Sequence, residues 1–472
     1  MKYHSAIIGA GSAGLTVAIG LAGLGKQVVV IEKNHVGGDC TNVGCIPSKL
    51  LIHLANDAKD LTTSEIFARV RAKRDELRDE EDHWLKSQEN IKFIKGEAKF
   101  IANDSLNVIT ETETITIKAE NIIIASGSSP IIIPIKGLPI ERTLTNENLF
   151  DLENLPKHIA IVGAGVIGCE MAFAFNKLGS EVSLIDLAPR ILAPLEPEVA
   201  ELILNRLESL GVKVYTSAKG KFYDQSSNNL VLDSNGKDIS LENVDKVLLA
   251  IGRRPNLDLD LEKAGIEFDR RGIPTNKVHE TNMENIYAIG DVDYEPSSAF
   301  THSANAQGRR LAQKLAFPYL PIGREPTYPS AVFTSPEVAQ VGLTLAKLKQ
   351  KYHEKLIKTE RFELAKTDRA FTQDLKEGFI LIHALRLTGR IVSATIVAPN
   401  ASEMIPILSY AVNNKVSMYK LSDLVFPYPS LSEGMKKAAD SFKFATLANL
   451  KNELGVYLRY RLAQAKNEEL SG

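Results

Sequence analysis

Cysteine is scarce, at three residues in 472. Three thiols cannot build a disulfide scaffold, and a chain of this size does not need one. Nor can they supply a four-cysteine zinc or iron–sulfur site. Net charge is nearly absent too, at −2, which excludes the electrostatic footprint of a nucleic-acid or polyphosphate partner. A long apolar run is also missing. Ser5 to Gly25 carries no charge, but glycines at 9, 11 and 14 interrupt it. It lacks the basic start and cleavage site of a signal peptide and the anchors of a spanning helix. It reads as strand, turn and helix, and the expected setting is the cytoplasm, with no processing.

Hydrophobic residues make up 44% and charged residues 24%, ordinary values for a soluble globular chain. The length suits about three domains of roughly 150 residues.

One pattern occurs twice. Lys2 to Ile8 reads as a buried strand, followed by Gly9-Ala10-Gly11-Ser12-Ala13-Gly14 and an Ala/Leu-rich helix to about Gly25. A second apolar run from Gln27 to Ile31 ends in Glu32. Gly9 allows the tight turn, Gly11 lets the backbone approach a pyrophosphate, and Gly14 lets helix and strand pack closely. The helix N-terminus offers N–H groups to phosphate, and Glu32 suits a ribose diol. The copy runs from the strand His158–Val162 through Gly163, Gly165 and Gly168 to Glu181–Ile185 and Asp186, with identical spacing. Turn-forming glycines alone would explain one copy, but not two of matched spacing. Two such sites imply two dinucleotides, most simply FAD and NAD(P). Asp186 favours NAD(H) over NADP(H), because a carboxylate there repels a 2′-phosphate; the nearest arginine is Arg190.

Between the copies, Ile52 to about Glu89 is charged and helical in pattern, with Trp84 expected as a packing anchor. Ile91 to Ile117 reads as short strands. Ile122 to Ser128, Val247 to Gly252 and Glu284 to Asp291 read as further strands ending in small or acidic turns.

Two of the three cysteines, Cys40 and Cys45, lie with four residues between them, just past the first nucleotide-binding unit. In a reducing compartment such a pair is usually catalytic, and its place argues for electron transfer through a flavin. Ile46-Pro47-Ser48 is a plausible helix start and Lys49 a nearby cation; both favour a thiolate at Cys45. A metal site of His35, Cys40, Cys45 and His53 would need spacings unlike structural zinc patterns, and no metal is expected. Cys169 reads as a buried filler on a helix.

The chain resembles the flavin-dependent pyridine nucleotide–disulfide oxidoreductases, the group of dihydrolipoamide dehydrogenase, glutathione reductase and mercuric reductase. The likeness is carried by the paired fingerprints, Gly37-Gly38-Asp39-Cys40-Thr41-Asn42-Val43-Gly44-Cys45-Ile46-Pro47-Ser48-Lys49, Ala125-Ser126-Gly127, Gly290-Asp291 and Phe333-Thr334-Ser335-Pro336-Glu337. The resemblance implies an α/β fold with two Rossmann-like domains, for FAD and NAD(P), and a C-terminal α+β dimerisation domain. It divides the chain into FAD-binding segments 1–150 and 276–325, an NAD(P)-binding domain 151–275, an interface domain 326–440 and a helical tail 441–472. It places Cys45 beside the flavin and Cys40 outermost, facing substrate. Lys49 lies near the flavin and pairs with Glu170 beside the nicotinamide. Gly38, Thr41, Ser126, Gly127 and Asp291 join Gly9, Gly11, Gly14, Glu32 and Lys49 around FAD. Gly252 joins Glu170, Asp186 and the second glycine set around NAD. A homodimer follows, each active site completed by the partner's C-terminal residues.

One departure bears on chemistry. Disulfide-handling members carry a C-terminal His-Pro-Thr stretch with a glutamate a few residues on. Here the matching stretch is Phe426-Pro427-Tyr428-Pro429-Ser430-Leu431-Ser432-Glu433, and no histidine follows His383. Tyr428 replaces a group that titrates near pH 6.5 with a phenol near 10. Oxidising a dithiol needs a base, so a soft-metal or other electrophilic acceptor suits this site better. Tyr428, Glu433 and the stretch to Phe442 look closer to mercuric reductase, although an N-terminal metal-binding domain and a C-terminal cysteine pair are missing. Tyr428 reads equally as a packing residue at a dimer seam. Past Ala439, Phe442, Phe444, Leu447, Leu450, Leu454, Tyr457, Leu458 and Leu462 suggest amphipathic helices docked on the body or on the partner.

The expected activity is an FAD-dependent oxidoreductase passing electrons from NAD(P)H through flavin and the Cys40–Cys45 pair to a small disulfide, soft-metal or other electrophilic small-molecule acceptor, in the manner of mercuric reductase. The catalytic set is Cys40, Cys45, Lys49, Glu170, Tyr428 and Glu433. The rivals are a dihydrolipoyl dehydrogenase of a 2-oxo-acid dehydrogenase complex and a non-catalytic redox-sensing or scaffold flavoprotein.

Overall fold

The computed structural model describes residues 2–58, 60–294 and 300–470, with the backbone alone at residues 2 and 462–470. It divides into two compact units. The first holds residues 1–191 and 210–325, the second residues 192–209 and 326–472. The architecture is α/β, with two Rossmann-like halves in the first unit and an antiparallel sheet with helices in the second.

The first half starts with β1 (Lys2–Ile8), α1 (Ser12–Gly23) and β2 (Val28–Glu32). Next come α2 (Gly38–Asn42), α3 (Cys45–Asp57) and α4 (Thr63–Ser87). Strands β3 (Ile91–Lys95), β4 (Glu97–Ala102), β5 (Ser105–Ile109) and β6 (Thr114–Ile124) complete its sheet, in the order β3–β2–β1–β6–β5–β4. The first four run parallel and the last two antiparallel. Apolar residues fill both faces of β1, as a sheet covered on both sides requires. Ile7 packs with Val17, Leu21 and Val30 on one face; Ala6 and Ile8 pack with Val29 and Ile31 on the other.

The second half repeats the theme. β7 (His158–Val162), α5 (Val166–Leu178), β8 (Glu181–Ile185), β9 (Lys213–Tyr215) and β10 (Lys246–Leu249) form a parallel sheet in the order β9–β8–β7–β10, with Thr143–Leu144 at its edge. A short antiparallel pair, Ser128–Pro130 with Arg253–Pro255, joins the halves. The chain then returns to the first sheet, where β11 (Ile286–Ala288) pairs with β6 and α6 (Thr301–Ala316) follows.

In the second unit, β12 (Pro329–Val332), β13 (Glu337–Gly342), β14 (Ile357–Glu363), β15 (Phe379–Leu385) and β16 (Ile391–Ala398) form an antiparallel sheet in the order β12–β13–β16–β15–β14. Helices α7 (Ala401–Asn413), α8 (Glu433–Ala448) and α9 (Leu450–Leu470) follow. Met435, Ala438, Ala439 and Phe442 of α8 join the core of the sheet. A single helix thus crosses position 440.

Two expectations need correction. Trp84 is no packing anchor: it sits on the solvent side of α4, 43% exposed, because that helix buries Ile66, Phe67, Val70 and Leu85 instead. The leucines of the tail do not pack on the body of their own chain either. Phe444, Leu447, Leu450, Leu454 and Leu458 are exposed. The tail is fixed by buried Phe442, by Glu453 bonded to Arg386 at 2.8 Å, and by Tyr460 against the His353 ring. The Leu462 side chain lies outside the described residues. No helix among the described residues is long and apolar enough to cross a membrane.

Phe442 is fully buried, edge-on to Tyr419, with the Lys358 ammonium 4.6 Å from its ring centroid. Phe442→Ala is expected to cost about 3–5 kcal/mol, read from urea unfolding; a change under about 1 kcal/mol would show that this helix is not anchored there.

Candidate functional site

Both glycine turns bring backbone against backbone more closely than any side chain allows. Gly9 has φ +108°, and a Cβ there would lie 2.2 Å from the Ala125 carbonyl oxygen; one on Gly14 would lie 2.0 Å from the Gly9 carbonyl oxygen. The second turn matches, with Gly163 at φ +109° and a Gly168 Cβ falling 1.8 Å from the Gly163 carbonyl oxygen. Gly11 and Gly165 stand at the N-caps of α1 and α5 and make no side-chain cap bond to the first-turn N–H groups. Those donors remain for an anion.

The acids at the strand ends also take up the turn. Glu32 accepts from Ala10 N–H at 2.8 Å and Asn34 N–H at 2.6 Å. Asp186 accepts from Ala164 N–H at 2.5 Å and Ala188 N–H at 2.7 Å. Each carboxylate is therefore fixed in orientation, with lone pairs left for a ribose diol. A cavity of about 390 Å³ opens beside the first turn, lined by Gly9, Glu32, Ser126 and Asn256 among others. Ser126 is held there by its own bond to the Asn256 carbonyl oxygen, 2.8 Å. Backbone glycines, uncapped helix starts and an oriented acid beside a cavity fit a dinucleotide such as FAD at the first turn, and the same donor set fits NAD at the second.

The cysteine loop packs directly on the first turn. Gly37 N–H donates to the Ala10 carbonyl oxygen at 2.9 Å. Asp39, Cys40 and Thr41 lie in α2, and Cys45 opens α3. Thr41 Oγ1 donates to Glu81 at 3.0 Å. Lys49, one turn into α3, donates to Glu170 Oε2 at 2.8 Å, and the Glu170 side chain is 3% exposed. This pair joins the cysteine helix to the helix of the second glycine turn.

All three cysteines are free thiols, in unlike settings. The Cys45 thiol is pulled down to about 6, first by the hydrogen bond from Cys40, then by Thr301 and by the charge of Lys49; burial and Glu170 oppose. Cys45 Sγ lies 3.4 Å from the Thr301 hydroxyl at the start of α6. Cys40 moves the other way: its bond to Cys45 and its burial hold it protonated. Cys169 is buried, and burial pushes its thiol up, as expected of an inert filler. The arrangement is one thiolate hydrogen-bonded by one thiol.

The other expected positions are found as follows. Asp291 accepts from Ser128 Oγ at 2.5 Å. Gly127 and Gly252 have positive φ, +68° and +122°; both flank the strand pair that joins the halves. Tyr428 and Glu433 belong to the second unit. Tyr428 is 71% exposed and its hydroxyl donates to Asp368 at 2.8 Å. That bond, with the Asp368 charge, raises its pKa further. Glu433 opens α8, 3.5 Å from Lys437. Three residues at the site escaped the sequence reading. Thr301 touches Cys45. Arg253 reaches Asp39, Ser128 and Asn146, and Asn146 holds the Val43 carbonyl oxygen at 3.3 Å. The only signal for Arg253 was its place just after Gly252.

Comparison with known proteins points one way. Residues 3–308 match the model of the pyridine nucleotide-disulphide oxidoreductase family, and residues 328–439 match that family's dimerisation domain. Dihydrolipoyl dehydrogenase 3 of Haloarcula marismortui is 34% identical over 459 residues, covering 92% of this chain and 95% of that protein. A dihydrolipoyl dehydrogenase of Bacillus subtilis is 31% identical, covering 92% and 97%. Among solved structures, the Cu(II) complex of the HOCl-induced flavoprotein disulfide reductase RclA of Escherichia coli superposes with TM-score 0.85 at 29% identity, covering 93% of this chain and 99% of that one. These proteins give the mercuric-reductase reading of residues 428–442 no support.

In the reduced protein, alkylation of Cys45 by iodoacetamide is expected to rise through pH 6, far below the ordinary thiol value of 9.0. The thiolate is the reacting form, so the rate climbs with pH and levels off above 6. Lys49→Met removes the cation and leaves Glu170 opposed by nothing from that side chain, which moves the rise to higher pH. A wild-type rise near pH 9 would contradict the assigned thiolate.

Proposed function

The chain belongs to the pyridine nucleotide–disulphide oxidoreductase family, FAD-binding oxidoreductases that use NAD(H), and on that premise we propose that it passes electrons from NADH to a small disulfide or a thiophilic metal ion through Cys40 and Cys45. The observation that carries this reading is the thiolate–thiol pair, Cys45 pulled down to about 6 and Cys40 held protonated, beside the Lys49–Glu170 bond.

FAD, when bound, supplies the two-electron chemistry between nicotinamide and sulfur. The protein's residues do the rest. Gly9, Gly11, Gly14 and Gly38 admit the FAD pyrophosphate, with Glu32, Thr41, Ser126, Gly127 and Asp291 along the cofactor. Gly163, Gly165, Gly168, Asp186, Glu170 and Gly252 serve NAD. Lys49 and Glu170 would stand beside the flavin and the nicotinamide, held to each other by their bond. Reduction of the Cys40–Cys45 bond takes up two electrons and one proton, leaving Cys45 as thiolate and Cys40 as thiol. Cys40, once deprotonated, attacks one sulfur of an acceptor disulfide and displaces the other as a thiolate. Cys45 then attacks Cys40, the Cys40–Cys45 bond re-forms, and the second acceptor thiol leaves. The net change is one NADH and one proton consumed per disulfide reduced to two thiols. With Cu(II), the ion complexed by the E. coli reductase, the same two electrons reduce two ions.

Tyr428 supports the reductive direction. A phenol bonded to Asp368 and raised above its ordinary value is no base for oxidising a dithiol at neutral pH. A second reading, dihydrolipoyl dehydrogenase, is favoured by the names of the relatives at 31% and 34% identity. The matched dimerisation domain supports a homodimer, and two cycling thiols suit the cytoplasm. Within it we assign residues 1–150 and 276–325 to FAD, 151–275 to NAD, 326–440 to the interface and 441–472 to the tail.

Anaerobic NADH followed by a panel of disulfides, Cu(II) and quinones tests the reading. Cys40→Ser is expected to abolish reduction of disulfides and metal while sparing quinones, which take electrons from flavin directly; equal loss of all would sink the sulfur route. Tyr428→His should raise dihydrolipoamide oxidation by roughly 100-fold. A wild-type rate already equal to that of the variant would instead support the dehydrogenase.

A further inference from the structure

Asp39, its side chain 50% exposed, lies next to the first glycine turn. It follows Gly38, whose backbone is pressed onto the first glycine turn: a Cβ on Gly38 would fall 2.7 Å from Gly11 Cα. The phosphate cradle is thus one residue away along the chain. A second carboxylate, Asp291, lies on the same side, bonded to Ser128. Burial raises the Asp39 pKa, Arg253 lowers it and Asp291 raises it again. Asp39 and Asp291 are 50% and 31% exposed, so two carboxylates and a dianionic pyrophosphate repel one another through partly screened charge.

One cation answers both acids. The Arg253 guanidinium pairs with Asp39 and stands 4.0 Å from Asp291. It is fixed in place from three directions. Nε donates to Ser128 Oγ at 2.7 Å, Nη2 to the Ser128 carbonyl oxygen at 2.6 Å, and Nη1 to Asn146 Oδ1 at 3.1 Å. Asn146 in turn donates to the Val43 carbonyl oxygen. The same arginine therefore braces the redox loop before and after Cys40. A bidentate, planar cation does this where an ammonium would satisfy fewer acceptors.

We propose that Arg253 is a positioning residue for the cofactor: it supplies the counter-charge that lets Asp39 lie beside the phosphate cradle without repelling the dinucleotide, and it braces the redox loop on that cradle. This rests on reading the first glycine turn as the FAD site.

The test is a charge cycle read as the FAD dissociation constant of the full-length protein. Arg253→Gln leaves two acids uncompensated and is expected to weaken FAD about tenfold or more. Asp39→Asn should bind FAD as tightly as wild type or tighter. The double variant Asp39→Asn/Arg253→Gln should return to within about threefold of wild type, and Arg253→Lys should fall between wild type and Arg253→Gln. A double variant as weak as Arg253→Gln would overturn the proposal, as would Asp39→Asn binding tenfold more weakly than wild type. If Arg253→Gln fails to fold, the two Asp39 variants still decide. A wild-type protein that binds no FAD would overturn the cofactor reading itself, and this inference with it.

Discussion

A sulfur that stays anionic near neutral pH needs its charge met from several sides, and Cys45 is so placed. Cys40 donates to it, the Thr301 hydroxyl lies 3.4 Å away, and Lys49 supplies the cation. Lys49 is itself held by Glu170, a nearly buried acid from the other nucleotide half. Burial, and after it that acid, limit how far the thiol falls, so Cys45 sits near 6. A sulfur poised there is ionised at neutral pH and is still nucleophilic enough to close on Cys40.

The two glycine turns bring that sulfur to its place. Each makes backbone meet backbone at a distance no Cβ permits, so each strand-to-helix corner is fixed by what glycine lacks. The cysteine loop then rests on the first corner through Gly37 and Ala10, and Lys49–Glu170 links it to the second. Sulfur and the two phosphate cradles thus belong to one framework. The charges gathered there are met locally, by Arg253 for Asp39 and by the turn N–H groups for Glu32 and Asp186.

Much of this was legible in the sequence because it rests on local rules. The doubled glycine–acid spacing predicts both nucleotide halves, and the lone close pair of cysteines predicts the redox loop. The acids at 32 and 186 were expected on a ribose; they also hold the turns that precede them, a use spacing alone does not reveal. What was hidden depends on distance along the chain. Arg253 meets Asp39 across 214 positions, and Thr301 meets Cys45 across 256; neither contact leaves a periodic trace. Trp84 misled because a large apolar residue on a charged helix suggests an anchor, whereas four other side chains of that helix already fill the core. In the tail the leucines carry the helical period, but on the body of the same chain a part-buried ion pair and two aromatic contacts hold it.

The exit of electrons through sulfur is the point on which the chemistry turns. Counting alkylatable thiols after anaerobic addition of NADH to the oxidised holoprotein measures it directly. Two newly reactive sulfurs, mapped to Cys40 and Cys45, are the expected result. A flavin bleached by NADH with both sulfurs still blocked would contradict it.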